Sequence, residues 1–246
     1  MGKVILLLIL LVASPAFAVT GKTINYEVNG QTYEGYYITP APTAPFILLI
    51  HDWDGLTDYE IKRAGMLADL GYAVFAADLF GAGVRPTEVT DKKQHTGELY
   101  KDRAKMLALM NGALKTAKSL GAHVDNGVTM GYCFGGAAVL ELARSGAAMK
   151  GFVTFHGGLA TPEGQDYAKT KGQLLILHGT ADTNITMDLF AGLALELEEN
   201  DIPHELITYG GAPHAFTVYD SPGYRAETDR KSWQRFTEFL DEVLKK

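Results

Sequence analysis

Residues 23–28 and 31–38 alternate apolar and polar positions and meet at Asn29-Gly30. That pair tolerates positive φ and predicts a tight β-hairpin. After Pro40, Pro42 and Pro45 the pattern changes. Residues 46–50 form a continuous apolar run, and 72–77, 127–130, 151–156 and 173–178 are apolar over most of their length, as expected for strands covered on both faces. Residues 203–208 form the last predicted strand. Between these runs apolar positions recur at helical spacing. The spacing predicts helices from Thr57 or Asp58 to Leu70, over 186–200 and over about 225–244, the last turning Trp233, Phe236 and Phe239 inward. Residues from about 92 to 119 carry a long helical pattern whose charged half fits a separate short helix. A hairpin followed by alternating strand and helix implies α/β architecture: a mostly parallel central sheet with helices on both faces.

Composition narrows this to one domain. The chain has 246 residues, of which 47% are hydrophobic and 21% charged, and no linker or repeat divides it. The net charge of −7 and the absence of any basic run argue against a nucleic-acid partner. Residues 1–18 differ from the rest. Lys3 precedes an apolar run over 4–12, and Pro15 precedes Ala16-Phe17-Ala18. This is the pattern of a signal peptide cleaved after Ala18, leaving residues 19–246 as the folded domain. The expectation is a periplasmic or secreted protein, not membrane-bound after cleavage, as a monomer or small homo-oligomer.

The chemistry centres on Gly131-Tyr132-Cys133-Phe134-Gly135-Gly136, between a predicted strand and a run of small residues. This is a nucleophile elbow with cysteine at its apex. Its glycines leave room where strand and helix crowd together, and the following helix aims its N-terminal amides at the sulfur. Cys133 is the single cysteine, so no disulfide within the chain is open to it. Asp182 and His214 follow at the ends of later strands, the end of an open α/β sheet where ligands bind. The order nucleophile, acid, base is that of the α/β-hydrolase arrangement. Cys133 would attack an acyl carbon and form a thioacyl-enzyme. His214 would move the proton and activate water, and Asp182 would fix the imidazole. The backbone N–H groups of Phe134 and Trp53 are the expected oxyanion donors. A thioesterase or acyltransferase could use the same three residues. A non-catalytic binding or redox-sensing protein could use the thiol alone.

Five stretches together resemble the dienelactone hydrolase family over nearly all of residues 19–246. They are His51-Asp52-Trp53-Asp54-Gly55-Leu56, Asp78-Leu79-Phe80-Gly81, the elbow, His178-Gly179-Thr180-Ala181-Asp182, and His214-Ala215-Phe216. The resemblance implies a single-domain α/β-hydrolase fold and carboxylic ester or lactone hydrolysis, with no metal or organic cofactor. It also implies an acid that assists the thiol. That position is Asp52, where the family usually has glutamate; Asp54 competes for the task, and a loop-capping Asp52 is the alternative. The arginines that hold a substrate carboxylate in dienelactone-opening members have no counterpart at the matching positions. Arg85 and Arg225 are the nearest substitutes. Tyr132, Phe80 and Phe216, with Trp53 and Phe134, suggest an apolar or aromatic acyl pocket. His51, His156 and His178 also end strands, but their spacing does not suit a shared metal site. His95, His123 and His204 read as surface residues.

Overall fold

The computed structural model describes residues 19–244; the proposed signal peptide lies outside them. Strands β1 (Lys22–Val28) and β2 (Gln31–Ile38) pair antiparallel. Both turn residues take positive φ, 51° at Asn29 and 78° at Gly30, as the hairpin signal requires. Then come β3 (Pro45–Ile50), α1 (Asp58–Asp69), β4 (Ala73–Ala77), α2 (Val89–Lys101) and α3 (Arg103–Ser119). β5 (His123–Tyr132) leads into α4 (Phe134–Arg144), followed by β6 (Gly151–Phe155) and β7 (Gln173–Gly179). The chain closes with α5 (Met187–Glu199), β8 (His204–Tyr209) and α6 (Ala226–Val243).

The eight strands form one sheet in the order β1-β2-β4-β3-β5-β6-β7-β8. From β4 through β8 all neighbours are parallel, while β2 joins β4 antiparallel. Each apolar run therefore feeds both faces. Phe46, Leu48 and Ile50 of β3 face α3, α4 and the inner side of α5. Ile47 and Leu49 face α1 and α6. Every residue of β3 and β4 is buried, and each such Leu or Ile contributes about 1.5–3 kcal/mol.

Helix α1 starts at a reciprocal capping box. Glu60 accepts the Thr57 N–H at 2.9 Å, and the Thr57 hydroxyl accepts the Tyr59 N–H. An expected boundary shifts. The elbow strand begins at His123, four residues before its apolar run, because polar residues at its start lie outside the core. The long helical pattern breaks at Asp102, which ends α2 and caps α3 through the Lys105 N–H at 2.9 Å.

Candidate active site

The C-terminal ends of β3, β5, β7 and β8 converge on one cleft. At the end of β5, Cys133 takes φ 52° and ψ −112° as the N-cap of α4. Such backbone strain, on the order of 1–3 kcal/mol, persists only where the surroundings impose it. Here they do. A Cβ on Gly131 would stand 2.4 Å from the carbonyl of Gly135, and one on Gly135 would stand 2.5 Å from the carbonyls of Ile50 and His51. A Cβ on Gly136 would meet the Gly157 backbone at 2.7 Å. The Cys133 N–H bonds to the Phe155 carbonyl at 3.1 Å, locking the apex to β6.

The loops after β7 and β8 are fastened to each other. The Ala181 N–H bonds to the Ala212 carbonyl at 3.0 Å, and the Thr180 hydroxyl accepts the Gly211 N–H at 2.9 Å. Gly179 must lack a side chain there, since a Cβ would lie 2.2 Å from the Ala212 oxygen. This clasp brings Asp182 to His214, with Oδ2 2.7 Å from Nδ1. The other oxygen of Asp182 accepts the Asn184 and Ile185 N–H groups at 2.9 Å each. His214 Nε2 lies 3.1 Å from Cys133 Sγ.

The electrostatics follow from these contacts. Burial disfavours charge on His214, but its bonds to Asp182 and to the sulfur win and push its pKa up to about 10. Burial acts on Asp182 in the opposite sense. The His214 hydrogen bond and the two backbone N–H groups outweigh it and hold the carboxyl below its usual range.

Phe134 is the first residue of α4, a position whose N–H has no acceptor within its own helix. Trp53 lines the cleft from the loop after β3. Asp52 lines it too but is only 6% exposed. It accepts the Asp54 N–H at 2.8 Å, so the loop-capping contact is present. Burial, with the nearby Asp54 charge, pushes Asp52 up to about 7. Asp54 is instead paired with Lys92, Oδ1 to Nζ at 2.7 Å.

Three of the five aromatic residues assigned to the pocket lie elsewhere. Tyr132 is fully buried on the α1 and α6 face, against Tyr59 and Phe155. Phe216 is fully buried between His156 and Tyr209. Phe80 is wedged among His51, His95 and Phe134. Apolar character marked them, but it does not separate a core wall from a cleft wall. The cleft, about 750 Å³, is lined by Trp53 and Phe134 of that set and by Val89, Tyr100, Ile185 and Val218 among others. Val89 and Tyr100 come from α2, whose helical pattern carries no sign that it lies over the site.

Neither arginine faces the cleft. Arg85 is consumed by Glu34 and the carbonyls of Leu56 and Val84. Arg225 bonds to the carbonyls of Pro222 and Tyr224. The cations that line the cleft are Lys92 and Lys93.

The strand-end histidines are separately engaged. His51 Nε2 accepts the Leu79 N–H at 3.0 Å, so Nδ1 donates to the Asp52 carbonyl at 2.6 Å. His178 stacks on Phe190, and His156 bonds to Thr217. Among the described residues no group of three or more metal-ligating side chains is assembled. His95 is half-buried against Phe80, which corrects its surface assignment, and His204 is half-buried with Nδ1 2.7 Å from the Ile202 carbonyl. His123 is exposed as expected.

Comparison with known proteins agrees with this fold. The family model described as "Dienelactone hydrolase family" matches residues 33–244. A curated relative from Methylorubrum extorquens, named "Putative carboxymethylenebutenolidase", is 24% identical over 93% of this chain and 83% of its own length. The crystal structure of a dienelactone hydrolase-like promiscuous phosphotriesterase from metagenomic libraries superposes with a TM-score of 0.86. It is 27% identical, covering 93% of this chain and 100% of that one. A solved protein named m3DLH is 30% identical over the same shares, with a TM-score of 0.87.

Proposed function

The chain belongs to the dienelactone hydrolase family and is a carboxylic ester hydrolase, and on that premise we propose that it cleaves small esters or lactones through Cys133, His214 and Asp182. The observation that carries the mechanism is the position of His214, with one ring nitrogen on the sulfur and the other on a buried carboxylate. The thiolate attacks the acyl carbon, and its electron pair forms the C–S bond. The carbonyl oxygen takes up negative charge opposite the N–H groups of Phe134 and Trp53. As the C–O bond breaks, the imidazolium gives its proton to the leaving oxygen. The neutral ring then takes a proton from water, whose oxygen attacks the thioacyl carbon. Loss of the C–S bond returns the thiolate, paired again with the imidazolium.

Asp52 supplies a further charge beside this pair. With its pKa pushed up to about 7 by burial, it ionises where a neutral-pH enzyme works, which supports a role in assisting the thiol. The aromatic and aliphatic lining supports esters with an apolar or aryl group. The engaged arginines argue against the arginine-held carboxylate of dienelactone-opening members. The pattern of residues 1–18 supports export, which cell fractionation would test.

Turnover of p-nitrophenyl acetate and a lactone panel by wild type and Cys133→Ala tests the mechanism. Loss of turnover in a folded variant is expected. A phosphotriester belongs in the same panel, because a structural relative is named for that activity. Retained ester hydrolysis by Cys133→Ala would refute the thiol mechanism.

A further inference from the structure

Behind His214, on the side away from the cleft, lies a buried polar chain that the reaction steps do not use. Its centre is Thr217, fully buried and three residues beyond the base. The Thr217 hydroxyl lies 2.8 Å from His156 Nε2 and 2.8 Å from the Tyr59 hydroxyl. A threonine hydroxyl has one proton and two lone pairs, so it can bond both at once. The Thr217 carbonyl accepts Arg63 Nη2 at 3.0 Å. Arg63, itself 1% exposed, is paired with Asp229 at 2.5 Å. One residue thus ties the base loop to the end of β6, to α1 and, through Arg63, to α6.

Two features point this chain at the base. The His156 ring meets the His214 ring edge to face, with centroids 5.3 Å apart and planes at 67°. His156 also holds φ 42°, a left-handed conformation unusual for a residue with a side chain. The cost of such a backbone is borne where the surroundings fix the ring in place. The loop between is equally constrained, with Ala215 at φ 58°. Gly223 packs so closely on the His214 carbonyl that a Cβ would lie 2.2 Å from its oxygen. The Asp182 bond fixes one nitrogen of His214, but it does not stop the loop from sliding or the ring from tipping about that bond.

We propose that Thr217 and His156 are positioning residues for the base: they hold the His214 loop and ring so that Nε2 stays on the Cys133 sulfur. The role rests on the proposed thiol mechanism. Neither residue lines the cleft, so substrate binding should be spared while the chemical step is not. Burial keeps His156 neutral, with its pKa well below the ordinary histidine value and the His214 charge adding to the effect. A neutral ring in that place does not repel the imidazolium.

The test compares Thr217→Val, which keeps the shape and deletes the hydroxyl, with Thr217→Ser, which keeps the hydroxyl. Thr217→Val should lower kcat by roughly 10–100-fold, the scale of a small misplacement of a catalytic group, with KM nearly unchanged. Thr217→Ser should recover most of that loss. His214 should titrate lower in Thr217→Val when followed by ring-proton NMR, because its contact with the sulfur loosens. If Thr217→Val does not fold, His156→Leu against His156→Gln decides by the same readings, since a glutamine amide can reach the Nε2 position. A folded variant with wild-type kcat and an unmoved His214 titration overturns the positioning role. So does a kcat loss that only tracks the unfolded fraction. Cys133→Ala is measured alongside. If it is active, the thiol mechanism itself fails; if it is inactive while Thr217→Val is normal, only the positioning role fails.

Discussion

Asp182 offers one carboxylate oxygen to His214 Nδ1 at 2.7 Å, while its other oxygen is held by the backbone N–H groups of Asn184 and Ile185. The carboxylate cannot rotate without losing both backbone bonds. In Asp182→Asn the amide oxygen is expected to keep those bonds, leaving the amide NH₂ to face Nδ1. The ring would then carry its proton on the sulfur side, the wrong tautomer for a base. We expect kcat on short aryl esters to fall by ~10²–10⁴-fold with the fold intact. His214, raised to about 10 partly by this carboxylate, should titrate lower in the variant by NMR.

Asp52 should make the protein less stable as the pH rises. Its folded pKa of about 7 lies above the ordinary aspartate value of 3.8. Between those values the folded state binds more protons than the unfolded state, so stability falls with rising pH. Asp52→Asn removes that dependence. Its melting temperature relative to wild type should climb as the pH goes from about 4 to about 7 and stay level above. If Asp52 assists the thiol, the same variant should lose an acid limb near pH 7 in kcat/KM. Thermal melts and pH-rate profiles across this range check both.

Gly135→Ala should damage the elbow. The added carbon would lie 2.5 Å from two carbonyl oxygens of the β3 end, which are backbone atoms and cannot step aside. Overpacking of this kind costs about 1–3 kcal/mol or more. Urea denaturation should show that loss, together with a fall in ester turnover, since Cys133 moves with the helix start.

Arg85→Gln should leave KM unchanged for esters with and without a carboxylate. Its guanidinium serves Glu34 and two carbonyls, so the loss appears as stability, about 1–3 kcal/mol for the groups left unpaired. Lys93→Gln should raise KM for carboxylate-bearing esters alone, because Lys93 lines the cleft. Steady-state kinetics on matched neutral and anionic esters separates the two.

The elbow was readable in the sequence because crowding leaves physical marks. Gly131, Gly135 and Gly136 stand where a single carbon would collide, and the strand and helix around Cys133 had clear patterns. Asp182 and His214 were readable because strand ends are marked by the end of an apolar run. The cleft walls were not. Tyr132 and Phe216 share the apolar character of a pocket but face the core. Helical periodicity tells which side of α2 is buried; it does not tell that Val89 and Tyr100 overhang the ends of distant strands. The Thr217 chain was invisible for the same reason. Its members Tyr59 and Arg63 on α1, His156 after β6 and Asp229 on α6 come from three separate parts of the chain.

The central claim is that acyl groups pass through Cys133. Rapid quenching of wild type with p-nitrophenyl acetate, followed by intact and peptide mass spectrometry, tests it most directly. The account predicts one acetyl group on the peptide carrying Cys133, accumulating further in His214→Gln if deacylation slows more than acylation, and absent in Cys133→Ala. An acetyl group on another residue, or full turnover by Cys133→Ala, would contradict it.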